Sequence, residues 1–185
     1  MIEDVLEELR KEYERTIVAF RRELTRTRTG RANTALLDGI FVEYYGARTP
    51  LNQVAGVSAP EPRLIVIQPY DRSALHDIEK AIMQSDLGLM PVNDGKILRV
   101  PIPELTAERR KDLVKHVRKV AEEYRVSLRN HRRDAVDLLK TLEKDKEITE
   151  DDHRHAHDKI QDATKAYTEK IDQILKVKED EIMEV

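Results

Sequence analysis

All six glycines of this 185-residue chain lie between positions 30 and 95, and all seven prolines lie between 50 and 103. Glycine and proline are the strongest breakers of helix and strand. The chain is therefore free of them over two long flanks and rich in them across one middle stretch. Charge changes at the same borders. Residues 31–104 carry 7 basic and 9 acidic side chains in 74 positions, whereas the other 111 positions carry 53 charges. A half-charged, breaker-free part split by a less charged part reads as a helical domain with a second domain inserted into it. The expected division is 1–30 with 105–185 for the helical domain and 31–104 for the insert.

The flanks show helical periodicity. Leu6, Leu9, Tyr13, Ile17, Phe20 and Leu24 recur three or four apart, which predicts a helix over 1–29 ended by Gly30. A second helix opens at Thr106, a good N-cap, and carries Leu113, Val117, Val120, Tyr124, Leu128, Ala135, Leu138 and Leu142. It runs to about residue 146, roughly 40 residues and ~60 Å. Thr149 and Asp152 resemble a capping box that starts a third helix on Ala156, Ile160, Ala163, Tyr167, Ile171, Ile174 and Ile182. Each stripe is narrow and spaced near 3.5 residues, as in coiled coils. None could be buried by its own helix, so an antiparallel three-helix bundle is expected.

The insert has a different period. Ile40, Val42 and Tyr44 alternate with Phe41, Glu43 and Tyr45, as in a strand. The run Leu64-Ile65-Val66-Ile67 suits a buried strand, and Asp94-Gly95 is a hairpin signal before Ile97-Leu98-Arg99-Val100. Residues 73–86 read as one helix capped by Ser73, with Ile78, Ala81 and Ile82 inward and Gly88 as its stop. The fold class is α+β in two domains. Two crossings, at 29–31 and 102–105, join them. They make Gly30, Arg31, Pro103, Glu104 and Leu105 candidate hinge residues, since relative motion is the default across a small interface.

Net charge is −3, so this is no uniformly basic nucleic-acid binder, and an anionic partner must be met by a local patch. Two patches stand out. Residues 15–31 hold six Arg against one Glu, and residues 109–133 hold ten Lys or Arg against three acids. With the first two helices antiparallel, these runs lie side by side and form the footprint expected for nucleic-acid phosphate. A solvated charged face explains the same residues equally well. The sharpest cluster is Arg129-Asn130-His131-Arg132-Arg133. Its three arginines are three and four apart and so share a helical face, and no acid stands between Glu123 and Asp134 to pair them locally.

Several chemistries are absent from the sequence. With no cysteine there is neither a disulfide nor a thiolate metal site. His153 and His157, one helical turn apart, could bind zinc but lack an HExxH context, and a helix-surface role is the plainer reading. No phosphate-binding loop, dinucleotide fingerprint or nucleophile elbow is present, and no enzyme is expected. No apolar run approaches a membrane span, and the acidic, amphipathic start is unlike a signal or transit peptide, so the cytoplasm is the expected compartment.

Several blocks of sequence, taken together, carry a resemblance. They are Arg28-Thr29-Gly30-Arg31-Ala32, Val42-Glu43-Tyr44-Tyr45-Gly46, Asp71-Arg72-Ser73, Glu79-Lys80-Ala81-Ile82 and Ser85-Asp86-Leu87-Gly88-Leu89. Further along come Arg99-Val100-Pro101, Leu105-Thr106, Glu108-Arg109-Arg110-Lys111-Asp112-Leu113, Arg129-Asn130-His131-Arg132-Arg133-Asp134 and Asp145-Lys146-Glu147-Ile148. In this order and at this length they resemble the bacterial ribosome recycling factor family. The resemblance implies a three-helix bundle with an inserted β/α/β domain, joined flexibly in an L shape. It implies a monomer that binds large-subunit rRNA after termination. With elongation factor G and GTP, it would split the subunits and promote release of mRNA and tRNA. GTP would serve the elongation factor, and the chain itself would need no cofactor or metal. Arg28, Arg31, Arg110, Arg129, Arg132 and Arg133 become the expected rRNA contacts. A coiled-coil scaffold that binds other proteins is the competing reading of the residues, and a histidine-dependent metalloenzyme a more remote one.

Overall fold

A computed structural model describes residues 1–184 of the chain. It divides into two compact units: Met1–Leu24 together with the chain from Lys111 onward, and Thr25–Arg110. The borders fall six residues outside those expected at 30 and 105, at the N-terminal and C-terminal crossings alike.

The first unit is built from helices α1 (Ile2–Thr25), α4 (Ala107–Lys144) and α5 (Glu150–Met183). Helix α1 stops at Thr25, short of the expected 29, and the chain is irregular from there to Gly30. Thr106 accepts a hydrogen bond from the Arg109 N–H at 3.1 Å and so begins α4. The end of α4 is a Schellman turn. Lys146 sits at φ +62°, its N–H bonds the Glu143 carbonyl and the Glu147 N–H bonds the Leu142 carbonyl, both at 2.9 Å. The Thr149–Asp152 capping box is formed in both directions.

Contacts fix the helix directions. Tyr13 stacks near His131 and Phe20 near Tyr124, so α1 and α4 are antiparallel. Arg118 pairs with Glu179 and Arg125 with Asp172, so α4 and α5 are antiparallel as well. Glu3 pairs with Lys159 and Glu14 with Lys170, so α1 and α5 run the same way.

The buried seams differ from those read in the sequence. Helix α1 buries Val5, Leu9, Tyr13, Thr16, Ile17, Phe20 and Leu24, with Val5 inward where Leu6 was expected. Helix α4 buries Leu113, Val117, Val120, Ala121, Leu128, Ala135 and Leu139, and Leu138 is 47% exposed. Helix α5 buries Ala156, Ile160, Thr164, Tyr167, Ile171, Leu175, Lys178 and Ile182, leaving Ala163 and Ile174 at the margin. In α5 the spacing is four, four and three, an 11-residue period of about 3.67 per turn rather than 3.5, and α1 and α4 follow it with Ile17 and Val120 buried beside it. That lies closer to the natural 3.6 of a straight α-helix, so the helices need not wrap as a coiled coil does. It also brings two threonines and a lysine into the seam.

The polar groups in the seam are satisfied. The Tyr13 hydroxyl and Thr164 Oγ1 share a hydrogen bond of 2.7 Å, and Thr164 also donates to the Ile160 carbonyl at 2.7 Å. Thr16 donates to the Glu12 carbonyl at 2.8 Å. Buried groups bonded in this way cost little, whereas an orphaned one would cost a full desolvation penalty.

The second unit holds two sheets and two helices. Strands β1 (Phe41–Tyr44) and β2 (Ala47–Pro50) form an antiparallel hairpin. A single turn, α2 (Leu51–Val54), leads into β3 (Ala55–Glu61). Strands β4 (Leu64–Pro69), β5 (Val92–Asn93) and β6 (Leu98–Pro101) complete a four-stranded antiparallel sheet of order β3-β4-β6-β5. The central β4 is the run of apolar residues, with Ile65 and Ile67 fully buried. Neither β2 nor β3 was expected, because Arg48, Pro50, Ser58 and Pro60 interrupt their apolar pattern. Helix α3 (Leu75–Met83) turns Leu75, Ile78 and Ile82 into the core. It is shorter than the expected 73–86. Its lead-in turn is capped by Asp71, whose Oδ1 accepts from the Ser73 N–H at 2.9 Å, and Ser73 itself stays exposed. The core of this unit is aliphatic: Val42, Ile65, Ile67, Ile78, Ile82, Leu98, Val100 and Ile102 meet in it.

Candidate nucleic-acid interface

Helix α4 is continuous through residues 129–133, so the side chains of Arg129, Arg132 and Arg133 do share one face. Their pairing differs from expectation. Arg129 Nη2 lies 2.8 Å from Glu122, two turns earlier, and Arg125 joins the same carboxylate at 3.2 Å. The two guanidinium groups hold the Glu122 carboxyl below the usual range. Arg132 and Arg133 make no ion pair among the described residues; Arg132 is half-buried and Arg133 exposed. Arg132 also lies close enough to Tyr13 to favour its phenolate, although burial dominates and pushes that phenol up. The face thus offers two unpaired guanidinium groups and one already neutralised.

The other three expected contacts fall in the second unit. Arg28 is half-buried in the irregular segment after α1, Arg31 is exposed, and Arg110 is half-buried in the first turn of α4. The structure therefore divides the six arginines evenly between two bodies. The broad basic stripe is also partly neutralised. Arg15 pairs with Glu12, Arg118 with Glu179 and Arg125 with Asp172 at 2.5 Å. The Glu122 pairing was legible as three- and seven-residue spacing along one helix. The Asp172 and Glu179 pairings needed the helix order.

The crossings are tied to the β3–β4 turn. The Ala32 N–H donates to the Pro62 carbonyl at 2.6 Å. The Ile102 N–H donates to the Arg63 carbonyl at 2.8 Å, and Arg63 Nε donates back to the Ile102 carbonyl at 3.3 Å. The Arg63 guanidinium also pairs with Glu104. Gly30 adopts φ +82°, and a Cβ there would stand 3.4 Å from the Leu105 side chain. Gly30 and Leu105 are therefore packed together, Glu104 is bonded, and Pro103 is flanked by bonded residues. Arg63 is the residue that sequence reasoning missed; nothing in its local pattern marks it.

Of the histidine pair, His153 is engaged through one ring nitrogen, and its Nε2 is buried without a partner. Glu143 Oε2 lies 2.5 Å from His153 Nδ1, across the turn between α4 and α5. Among the described residues no three metal-ligating side chains stand together. No helix among them is long and apolar enough to cross a membrane.

The family model described as ribosome recycling factor matches residues 20–183. The chain belongs to the ribosome recycling factor family. It is 54% identical to the ribosome-recycling factor of Bacillus subtilis (strain 168) and 51% identical to that of Desulfosudis oleivorans, each over 185 residues and the full length of both chains. Among solved structures it is similar to a solution structure of the ribosome recycling factor, with a TM-score of 0.80 and 40% identity. That match covers 100% of this chain and 98% of the other. It is also similar to the T. thermophilus ribosome recycling factor, which is described with E. coli elongation factor G on the E. coli post-termination complex. Here the TM-score is 0.68 at 48% identity, over 99% of both chains. This is a family of translation factors that act in ribosome recycling, and its two-domain α+β architecture is the one found here.

Proposed function

We propose that this chain binds the post-termination ribosome through large-subunit rRNA and, with elongation factor G and GTP, splits the subunits. The bundle docks and the second unit moves. The observation that carries the reading is the pair of unpaired guanidinium groups at Arg132 and Arg133, on a continuous helix of a chain that matches its recycling-factor relative over the whole of both. Guanidinium groups with no protein partner are available for forked contacts to phosphate. Arg129 is a weaker contact, since Glu122 must first release it. Arg28, Arg31 and Arg110 contribute from the second unit.

The bonded state of residues 102–104 narrows the hinge. Ile102 and Glu104 are held to the β3–β4 turn and Leu105 packs against Gly30, so the hinge motion is assigned to residues 26–29, where the chain is irregular after α1. The chain hydrolyses nothing; GTP is the elongation factor's substrate. A bundle of three long helices packed side by side is suited to carrying force along its length.

Light scattering of post-termination ribosomes tests the reading. Scattering falls only when this protein, elongation factor G and GTP are all present. Arg132→Ala weakens large-subunit binding and lowers the salt slope by about one, as loss of one phosphate contact requires. An unchanged slope would remove Arg132 from the interface, and no fall in scattering would overturn the function.

A further inference from the structure

Past the end of β6 the chain leaves the sheet, and one side chain holds it there. Main-chain pairing of β4 with β6 runs as far as Leu64 and Pro101. The Ile102 N–H extends it by bonding the Arg63 carbonyl at 2.8 Å, and the Ile102 side chain is buried in the aliphatic core. Pro103 follows and has no N–H to add. The Glu104 side chain is 77% exposed, and its partner among the described residues is the Arg63 guanidinium. Arg63 Nε also donates to the Ile102 carbonyl at 3.3 Å. One guanidinium thus bridges the residues on either side of Pro103.

The entry crossing meets the same turn. The Ala32 N–H bonds the Pro62 carbonyl at 2.6 Å, and Gly30 packs against Leu105. All of these residues lie within the second unit, Thr25–Arg110. Connections between domains are loose by default. Here both are pinned to residues 62 and 63. The pins at Ala32, Ile102 and Leu105 are main-chain bonds or an apolar contact, and they survive a change of side chain at position 63. The pin across Pro103 to Glu104 is the Arg63 side chain itself. A guanidinium suits it, because a planar fork of donors reaches a carbonyl and a carboxylate together. Both charged groups are half or more exposed, so the hold is modest and screened by salt.

We propose that Arg63 is a positioning residue. It clamps the exit crossing to the β3–β4 turn, so that movement of the second unit is passed along the crossing and not lost in it. Its use in subunit splitting rests on the proposed function; the clamp does not. With Arg63 in place, residues 102–104 turn with the second unit as one body. Without it the chain is free from Pro103 onward, and slack there absorbs displacement. Arg63 is exposed, so Arg63→Ala keeps the fold.

The first test needs no ribosome. Backbone amide relaxation, followed by NMR in the whole protein, reads Glu104 and Ala32. In the wild type Glu104 is as rigid as β6. Arg63→Ala loosens Glu104 and leaves Ala32 and β4 rigid, and raised salt loosens Glu104 in the wild type. Arg63→Glu and Glu104→Arg each loosen it, and the two together restore it, which a role of Arg63 in turn shape alone would not do. A mobile Glu104 in the wild type, no change in Arg63→Ala, or a double variant as loose as either single one overturns the clamp. The second test is on ribosomes. Arg63→Ala leaves large-subunit affinity unchanged and slows elongation-factor-dependent splitting by roughly two- to tenfold, the range for one exposed ion pair and one hydrogen bond. The charge-reversed pair recovers the rate. Splitting by Arg63→Ala at the wild-type rate, or a loss of affinity that accounts for the slower rate, overturns the positioning role. Failure of the wild-type protein to split ribosomes counts instead against the function, and the relaxation measurement still decides the clamp.

Discussion

The two units put their aromatic residues to opposite uses. In the helical unit Tyr13, Phe20 and Tyr167 are buried in the seam and Tyr124 is half-buried beside them. In the inserted unit the core is aliphatic, and Phe41, Tyr45 and Tyr70 are on the surface. Cations divide the other way, with Arg132 and Arg133 unpaired on the bundle and Arg48 already stacked on Phe41 in the insert. A long helix has few seam positions, so large rings and shared hydroxyls fill them. A small sheet packed on one helix is filled by Ile, Leu and Val, which frees its aromatics for display. The bundle can therefore present charge and the insert can present rings.

The largest way to break this contrast is Ile65→Ala. It removes a fully buried side chain from the central strand and costs about 2–5 kcal/mol. Calorimetry should show the insert's transition falling while most helical circular dichroism survives. Loss of both together would mean the units fold as one. A sharper probe is Thr164→Val, which keeps shape but orphans the buried Tyr13 hydroxyl, at about 1–3 kcal/mol. Tyr13→Phe should cost less, because Thr164 retains the Ile160 carbonyl. Equal losses in urea titrations would show that the hydrogen bond does not govern the seam.

A pH titration separates the units next. The Tyr167 phenol is pushed up to about 12, first by burial and then by its hydrogen bond to Glu14. Its folded value lies above the unfolded value near 10. The stabilisation is therefore complete below about pH 10 and is lost as pH rises toward 12. Tyr167→Phe should flatten that alkaline decline in the bundle transition and leave the insert's unchanged. The smallest effect is Lys146→Gly. Lys146 occupies a left-handed position that costs a side-chain-bearing residue about 1 kcal/mol, so the variant should raise the bundle midpoint slightly. A lower midpoint would mean that the lysine side chain contributes more than its backbone strain.

Much of this was legible before any coordinates. The distribution of glycine and proline separated the flanks from the middle, because breakers are excluded from long helices whatever the tertiary context. Thr106, the Thr149–Asp152 box and Asp94-Gly95 were readable because caps and tight turns are chemistry between neighbours. The shared face of Arg129, Arg132 and Arg133 followed from helical pitch alone. Tertiary structure decided what depends on partners far along the chain. It set the seam at Leu139 and Thr164 in place of Leu138 and Ala163, because the spacing that matters is the one that keeps two other helices in contact. It paired Arg125 with Asp172, recruited Arg63 to hold both crossings, and brought Tyr45 to Asp71 across 26 residues. A sequence states which groups each residue carries, but burial, pairing and strain are properties of the space between residues, and that space exists only once the chain has folded.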